Sequence, residues 1–307
     1  MAAEAALRGL LVDWGGVLTT NVFASFESFC RREGLEVSFV GDMFRGDPEA
    51  RHTLFSLACL VELSKRLPAS QVEYNAGEVP VGLDPARTPR NGLTPEETIR
   101  RIAECRSWLV LKHVERDPAY RLLLDYCLAD VRAASARLTA GLRDPHAFIF
   151  VSSPGAVTPY HMDPEENFLL QIRGHKTMSV FDRADRLVVS EREIERFLSG
   201  AHRNLAWREE FQGRARTFDL KPGLALHVPF ASPHWVQNGP EVSISFSITF
   251  NTRASMRTLH AHKVNARLRR WGVVPVPVGR SALRDSLKQL LSRTSARASR
   301  WAGLSPR

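Results

Sequence analysis

The 307-residue sequence predicts a mainly β fold with flanking helices, closed as a barrel or jelly roll. Two observations carry that prediction. Between Ala147 and Phe250, seven short runs rich in β-branched and aromatic residues follow one another with a single helical interruption. Turn formers separate them, at Ser153-Pro154-Gly155, Arg173-Gly174-His175, Lys221-Pro222-Gly223 and Asn238-Gly239-Pro240. Short strands at regular spacing without long crossover helices belong to antiparallel sheets that close or layer. A third observation adds chemistry: His161 and Asp163 sit two apart just before two such runs, and on an extended chain they share a face.

In chain order, residues 7–20 (LRGLLVDWGGVLTT) read as an apolar strand ending at Asp13, a Gly-Gly turn and a Thr pair. From Leu54 the spacing becomes helical, with Ser56 as cap. The stretch 71–93 is punctuated by Pro and Gly and reads as a long surface connection. Thr94, Pro95 and Glu97 then supply the cap, first position and third position of a capping box. Residues 105–116 read as a strand, and a helix follows from Pro118 to about Leu142. The barrel runs are AFIFVSS, NFLLQIRG, KTMSVFD, ARTFDL, GLALHVP, HWVQN and VSISFSITF, with SEREIERFLSG as a capped helix among them. After Phe250 come a basic helix, a Val-Pro linker and a last helix from Ser281 to about Arg297. Leu283, Leu287, Leu290 and Leu291 form an apolar stripe on that last helix.

Composition sets bounds. A hydrophobic content of 44% is ordinary for a globular chain of this size. No apolar run approaches the ~18 residues that cross a bilayer, and no signal peptide is read. Cys30, Cys59, Cys105 and Cys127 lie far apart, each in a helix-like stretch, with no zinc spacing. They read as free thiols of a reducing compartment, which makes a cytoplasmic location the expectation. The net charge of +9 is uneven: residues 253–307 carry +12, with Asp285 their single acid, and the remainder carries −3.

The stretch from Ser152 to Phe181 holds the strongest signal. His234, 73 residues beyond His161, completes a set of two imidazoles and one carboxylate. Such a set holds a divalent transition metal while leaving coordination positions open. With Thr158 three residues before His161, Lys176 thirteen after Asp163, and Asn167 four after it, the stretch resembles the Jumonji C (cupin-like) oxygenases, especially the asparaginyl-hydroxylase, factor-inhibiting-HIF type branch. The resemblance implies a double-stranded β-helix over residues 53–252, with its barrel at about 147–250. It implies Fe(II) on His161, Asp163 and His234, and 2-oxoglutarate as cosubstrate bound through Lys176 and Thr158. It further implies O2 as oxidant and Asn167 as a supporting residue. Where the family often carries another Asn on the last barrel strand, this chain has Ser247. The competing reading is a surface His-Asp pair with His234 packed in the core.

The N-terminal motif, with Asp13 before Gly15-Gly16, resembles the first motif of haloacid-dehalogenase hydrolases, where the Asp is a nucleophile. Gly15 replaces that family's second Asp, and no downstream Lys or Mg2+-binding motif follows. Residues 1–52 therefore read as a fragment of that type, and 253–307 as a basic helical extension.

The expected activity is decarboxylation of 2-oxoglutarate coupled to hydroxylation of a protein side chain or small metabolite. The alternatives are a metal-binding cupin-like regulator without oxygenase activity and a phosphohydrolase run by Asp13. A homodimer through the C-terminal helix and a nucleic-acid contact through the basic tail are the partner expectations. Tyr74, Asn75 and His113 read as surface or packing residues, with reach to the substrate mouth as the alternative. His227 reads as a packed barrel histidine, His175 as an exposed turn residue, and His260 with His262 as surface residues.

Overall fold

The computed structural model describes residues 11–13, 16–18, 53–134 and 139–301. Its elements are β1 (Leu11–Asp13), β2 (Gly16–Leu18), α1 (Leu57–Arg66), β3 (Val72–Ala76), α2 (Pro95–Arg100), β4 (Ser107–Lys112) and α3 (Pro118–Ala134). There follow β5 (Arg143–Ser152), β6 (Val157–His161), β7 (Glu166–Arg173), β8 (Lys176–Val180), α4 (Glu191–Leu198), β9 (Arg216–Leu220), β10 (Ala225–Val228), β11 (His234–Asn238) and β12 (Ser243–Asn251). Helices α5 (Arg253–Arg270) and α6 (Ala282–Trp301) end the described chain.

Two antiparallel sheets with flanking helices form the body, as a cupin-like sandwich does. The larger sheet has the order β10-β7-β12-β5-β4-β3 and the smaller the order β6-β11-β8-β9. Strand alternation splits each sheet into two faces. One face of the larger sheet sends Leu109, Leu111, Ile149, Phe246, Ile248 and Phe250 into a core shared with α1, α2 and α3. Between the sheets lies a second core of Leu169, Met178, Val180, Leu226, Val228 and Val236. A third cluster, including Tyr160, Phe181 and Ile194, packs α4 onto the smaller sheet.

Local chemistry explains the helix starts. Ser56 accepts from the Cys59 amide, and Thr94–Glu97 and Ser190–Glu193 each close a capping box. The β7–β8 turn rests on Gly174, whose φ of +68° and close approach to Val242 leave no room for a Cβ.

Three expectations are corrected. The stretch read as a surface connection contains β3, a half-buried strand paired with β4, because Val72, Tyr74 and Ala76 alternate with polar Glu73 and Asn75. Cys105 lies in a bend after α2 and not in a helix, and residues 139–141, read as part of the helix that starts at Pro118, form a turn. At the N-terminus the described residues form an antiparallel hairpin with Asp13 opposite Gly16. That pairing gives no support to a haloacid-dehalogenase strand, and the rest of residues 1–52, with Cys30, lies outside the described residues. The leucine stripe of α6 is solvent-exposed, Leu283 at 73% and Leu287 at 53%. Among the described residues no helix is long and apolar enough to cross a membrane.

Candidate metal centre and cosubstrate pocket

The centre is built by strand pairing in the smaller sheet. His234 at the start of β11 is the direct register partner of His161 at the end of β6, and their ring centroids lie 4.1 Å apart. Asp163 stands just beyond the end of β6, with its main chain held by the bond from the Ala231 amide to its carbonyl at 2.9 Å. Its Oδ2 is 3.7 Å from His161 Nε2 and 3.5 Å from His234 Nε2. Two ligands ~2.1 Å from one ion at a right angle are ~3.0 Å apart, so a shift of about half an ångström closes the set.

The ring orientations are fixed from behind. His161 Nδ1 bonds the Pro159 carbonyl at 2.7 Å, and His234 Nδ1 bonds the Ser232 carbonyl at 2.9 Å. A carbonyl accepts only, so in both rings the proton sits on Nδ1 and the Nε2 lone pair faces the centre. Burial pushes both imidazoles below their ordinary range, and for His161 the field of His234 adds to it. Burial opposes ionisation of Asp163, yet the fields of His161, His234 and Arg203 hold its carboxyl below the usual range. Two neutral nitrogen donors and one carboxylate are the protonation states a metal needs. Two residues on, burial and the Asp163 charge push Glu165 up to about 7.

Register carries the same inward face away from the centre. His234, Val236 and Asn238 stand opposite Val180, Met178 and Lys176 on β8, while Thr158 on β6 stands opposite Val236. Lys176 is 5% exposed, and among the described residues no anion pairs with it. Desolvation alone pushes its ammonium down to about 7. Beside it, Asn238 donates Nδ2 to the Ala156 carbonyl, and its buried Oδ1 has no hydrogen-bond partner among the described residues. Lys176 precedes Val180, the partner of His234, by four residues, about 13 Å of strand. A lysine side chain and a five-carbon diacid laid end to end cover about that distance.

On the facing sheet, the register places Asn167 opposite Val228 and Thr249, and Ser247 opposite Leu169. Ser247 Oγ donates to Asn167 Oδ1 at 2.7 Å and so orients that amide. The seven residues read from the sequence thus fall into two groups: His161, Asp163, His234, Thr158 and Lys176 on the smaller sheet, Asn167 and Ser247 on the larger.

Sequence reasoning missed the rim. Glu73 on β3 takes Lys112 at 2.5 Å on one oxygen and Arg203 at 3.2 Å on the other. The segment carrying Arg203 runs along β6, where Met162 N donates to the Arg203 carbonyl, Leu205 N to the Tyr160 carbonyl, and Asn204 bridges His161. Glu73, Asn75, Trp108, Thr158, His161 and Arg203 line one cleft. Asn75 therefore reaches the mouth, whereas Tyr74, one residue before it, packs into the helix-side core. His113 instead joins Glu115 and His146 in a separate half-buried cluster, with Glu115 Oε1 2.8 Å from His146 Nδ1.

His227 is buried against Glu166 at 3.1 Å, as a packed histidine, and His175 is exposed. His262 is 4% exposed and so is not the surface residue expected, while His260 is partly exposed and bonds Ser292 of α6.

No protein-family model and no curated protein matches the chain. Among solved structures it is similar to YcfD, a ribosomal oxygenase from Escherichia coli in complex with cobalt and succinic acid. That match has 15% identity and a TM-score of 0.41, covering 79% of this chain and 59% of that one. The same oxygenase with cobalt and 2-oxoglutarate gives 15% identity and a TM-score of 0.33, covering 62% and 46%. The lyase DddQ from Ruegeria pomeroyi DSS-3, which acts on DMSP, gives 13% identity and a TM-score of 0.22, covering 34% and 37%. The chain spans less than two thirds of the length of each of these. Values this low describe a remote likeness of shape and carry nothing about chemistry.

Proposed function

We propose that the chain is an Fe(II)- and 2-oxoglutarate-dependent oxygenase that hydroxylates a protein side chain or a small metabolite. One observation carries the reading: a two-imidazole, one-carboxylate donor set shares an inward sheet face with a buried lysine that has no counter-charge among the described residues. A structural zinc site closes its sphere with four protein ligands, whereas three protein donors leave room for exogenous ones. A lone buried ammonium is costly, and a carboxylate beside it offsets much of that cost where further hydrogen bonds complete the pair.

Bound iron and 2-oxoglutarate supply the oxidising chemistry, with O2 as oxidant. The chain supplies placement. His161 and His234 present Nε2 on rings that cannot turn without breaking a bond to their own backbone. Asp163 contributes the negative charge. Lys176 binds the far carboxylate of the cosubstrate as a point charge, with Thr158 donating its hydroxyl. Asn167, oriented by Ser247, supports the site from the opposite sheet. The apolar residues between the sheets exclude water, and the Glu73–Arg203–Lys112 rim meets the substrate first.

The test is an anaerobic titration with Fe(II) and 2-oxoglutarate, then exposure to O2 with panels of peptides and amino-acid metabolites. The expected result is succinate formed one-for-one with a hydroxylated product. Metal uptake with no succinate above a metal-free control overturns the oxygenase reading in favour of a metal-binding cupin.

A further inference from the structure

A second constellation lies outside the centre just described. Glu191 and Glu195 are one turn apart on α4, and His262 projects from α5, 67 residues further on. One donor atom from each lies within 4.8 Å of one from both others. Glu195 and His262 are more than nine-tenths buried and Glu191 nearly so. Each of the three also carries one buried atom without a hydrogen-bond partner among the described residues: Glu191 Oε2, Glu195 Oε1 and His262 Nδ1.

Buried polar atoms are almost always satisfied, and three unsatisfied ones together call for an occupant. His262 Nδ1 stands 3.6 Å from Glu191 Oε2, too far for a hydrogen bond and suited to two ligands around one ion. The carboxylates are oriented from outside, as metal-binding carboxylates are. Arg269 Nε holds the other oxygen of Glu195 at 2.6 Å, and Arg186 holds the other oxygen of Glu191.

We propose that Glu191, Glu195 and His262 form a second divalent-metal site that fastens α4 to α5. Two carboxylate oxygens and one imidazole nitrogen suit Zn2+ or Mn2+, with a fourth position for water. The nearby guanidinium groups weaken the attraction for a cation, so the affinity falls below that of an all-cysteine structural zinc. The same two helices wall a groove that includes Pro164 and Glu165, the residues following Asp163. An ion between them therefore fixes the position of one wall beside the candidate oxygenase centre.

The site is independent of the oxygenase reading and is tested by zinc content after equilibrium dialysis, with the first centre disabled by Asp163→Ala. That variant is expected to retain one equivalent of zinc, and Asp163→Ala/His262→Gln none above the blank. X-ray absorption on the Asp163→Ala protein gives a readout that does not depend on the double variant folding, with one imidazole and oxygen neighbours expected around zinc. The proposal is overturned by an Asp163→Ala protein that binds no zinc, by zinc that survives His262→Gln, or by a shell of two imidazoles, which would point to His161 with His234 or to His113 with His146.

Discussion

Lys176 is a buried ammonium whose protonation should respond to any anion placed beside it. Because the ammonium titrates at about 7 without an anion, binding a carboxylate above that pH requires proton uptake. The apparent affinity for 2-oxoglutarate is therefore expected to be flat below pH 7. It should fall about tenfold per pH unit above it, until the pKa of the complex is reached. Calorimetry from pH 6 to 9 checks this, and an affinity that improves with pH would remove Lys176 from the role. Lys176→Ala should keep its metal and raise the 2-oxoglutarate requirement about a hundredfold, equivalent to ~2.7 kcal/mol. His161 and Asp163 were legible because residues two apart on an extended chain share a face, and Lys176 because its place thirteen residues after Asp163 resembles the family pattern. Asn238 obeyed the same period from His234 and could have been read. Glu73, Lys112 and Arg203 could not, since only folding brings three distant segments to one rim.

Among the elements, the β7–β8 turn crosses from the larger sheet to the smaller and delivers Lys176 to the start of β8, opposite Asn238 on β11. Gly174 holds that turn, and a Cβ there would lie 2.4 Å from the Val242 carbonyl oxygen. Gly174→Ala should cost more than the ~1–2 kcal/mol of left-handed backbone strain alone, measured by urea unfolding. The 2-oxoglutarate requirement should rise with it as the register loosens. Helix starts were legible from their caps, which act over three residues. Strand β3 was not, because its Pro- and Gly-rich flanks imitate a loop and its partner β4 lies some 35 residues ahead in sequence.

At the level of the whole molecule, the centre lies on the inward face of one sheet and is closed by the other, so its ligands report on the folded state. Mn2+ with 2-oxoglutarate at a hundredfold excess over Kd should stabilise the protein by ~2.7 kcal/mol. Asp163→Ala should lose the part of that gain due to the metal, and denaturant melts with and without ligand measure both. The two-sheet architecture was legible from strand count and turn spacing. The order of strands was not, because β12 pairs with β5 and β7, partners roughly 75 to 100 residues away in the chain.

Ala231 holds a left-handed φ of +55° while its amide ties the segment before His234 to the Asp163 carbonyl. An L-residue adopts that torsion at a penalty that glycine escapes. At the proposed metal centre, retention of an ion would thus be adjustable through the shape of a turn that never touches it. A relaxed turn there would widen the wander of the second imidazole and let such an ion escape sooner, with all three donors still in place.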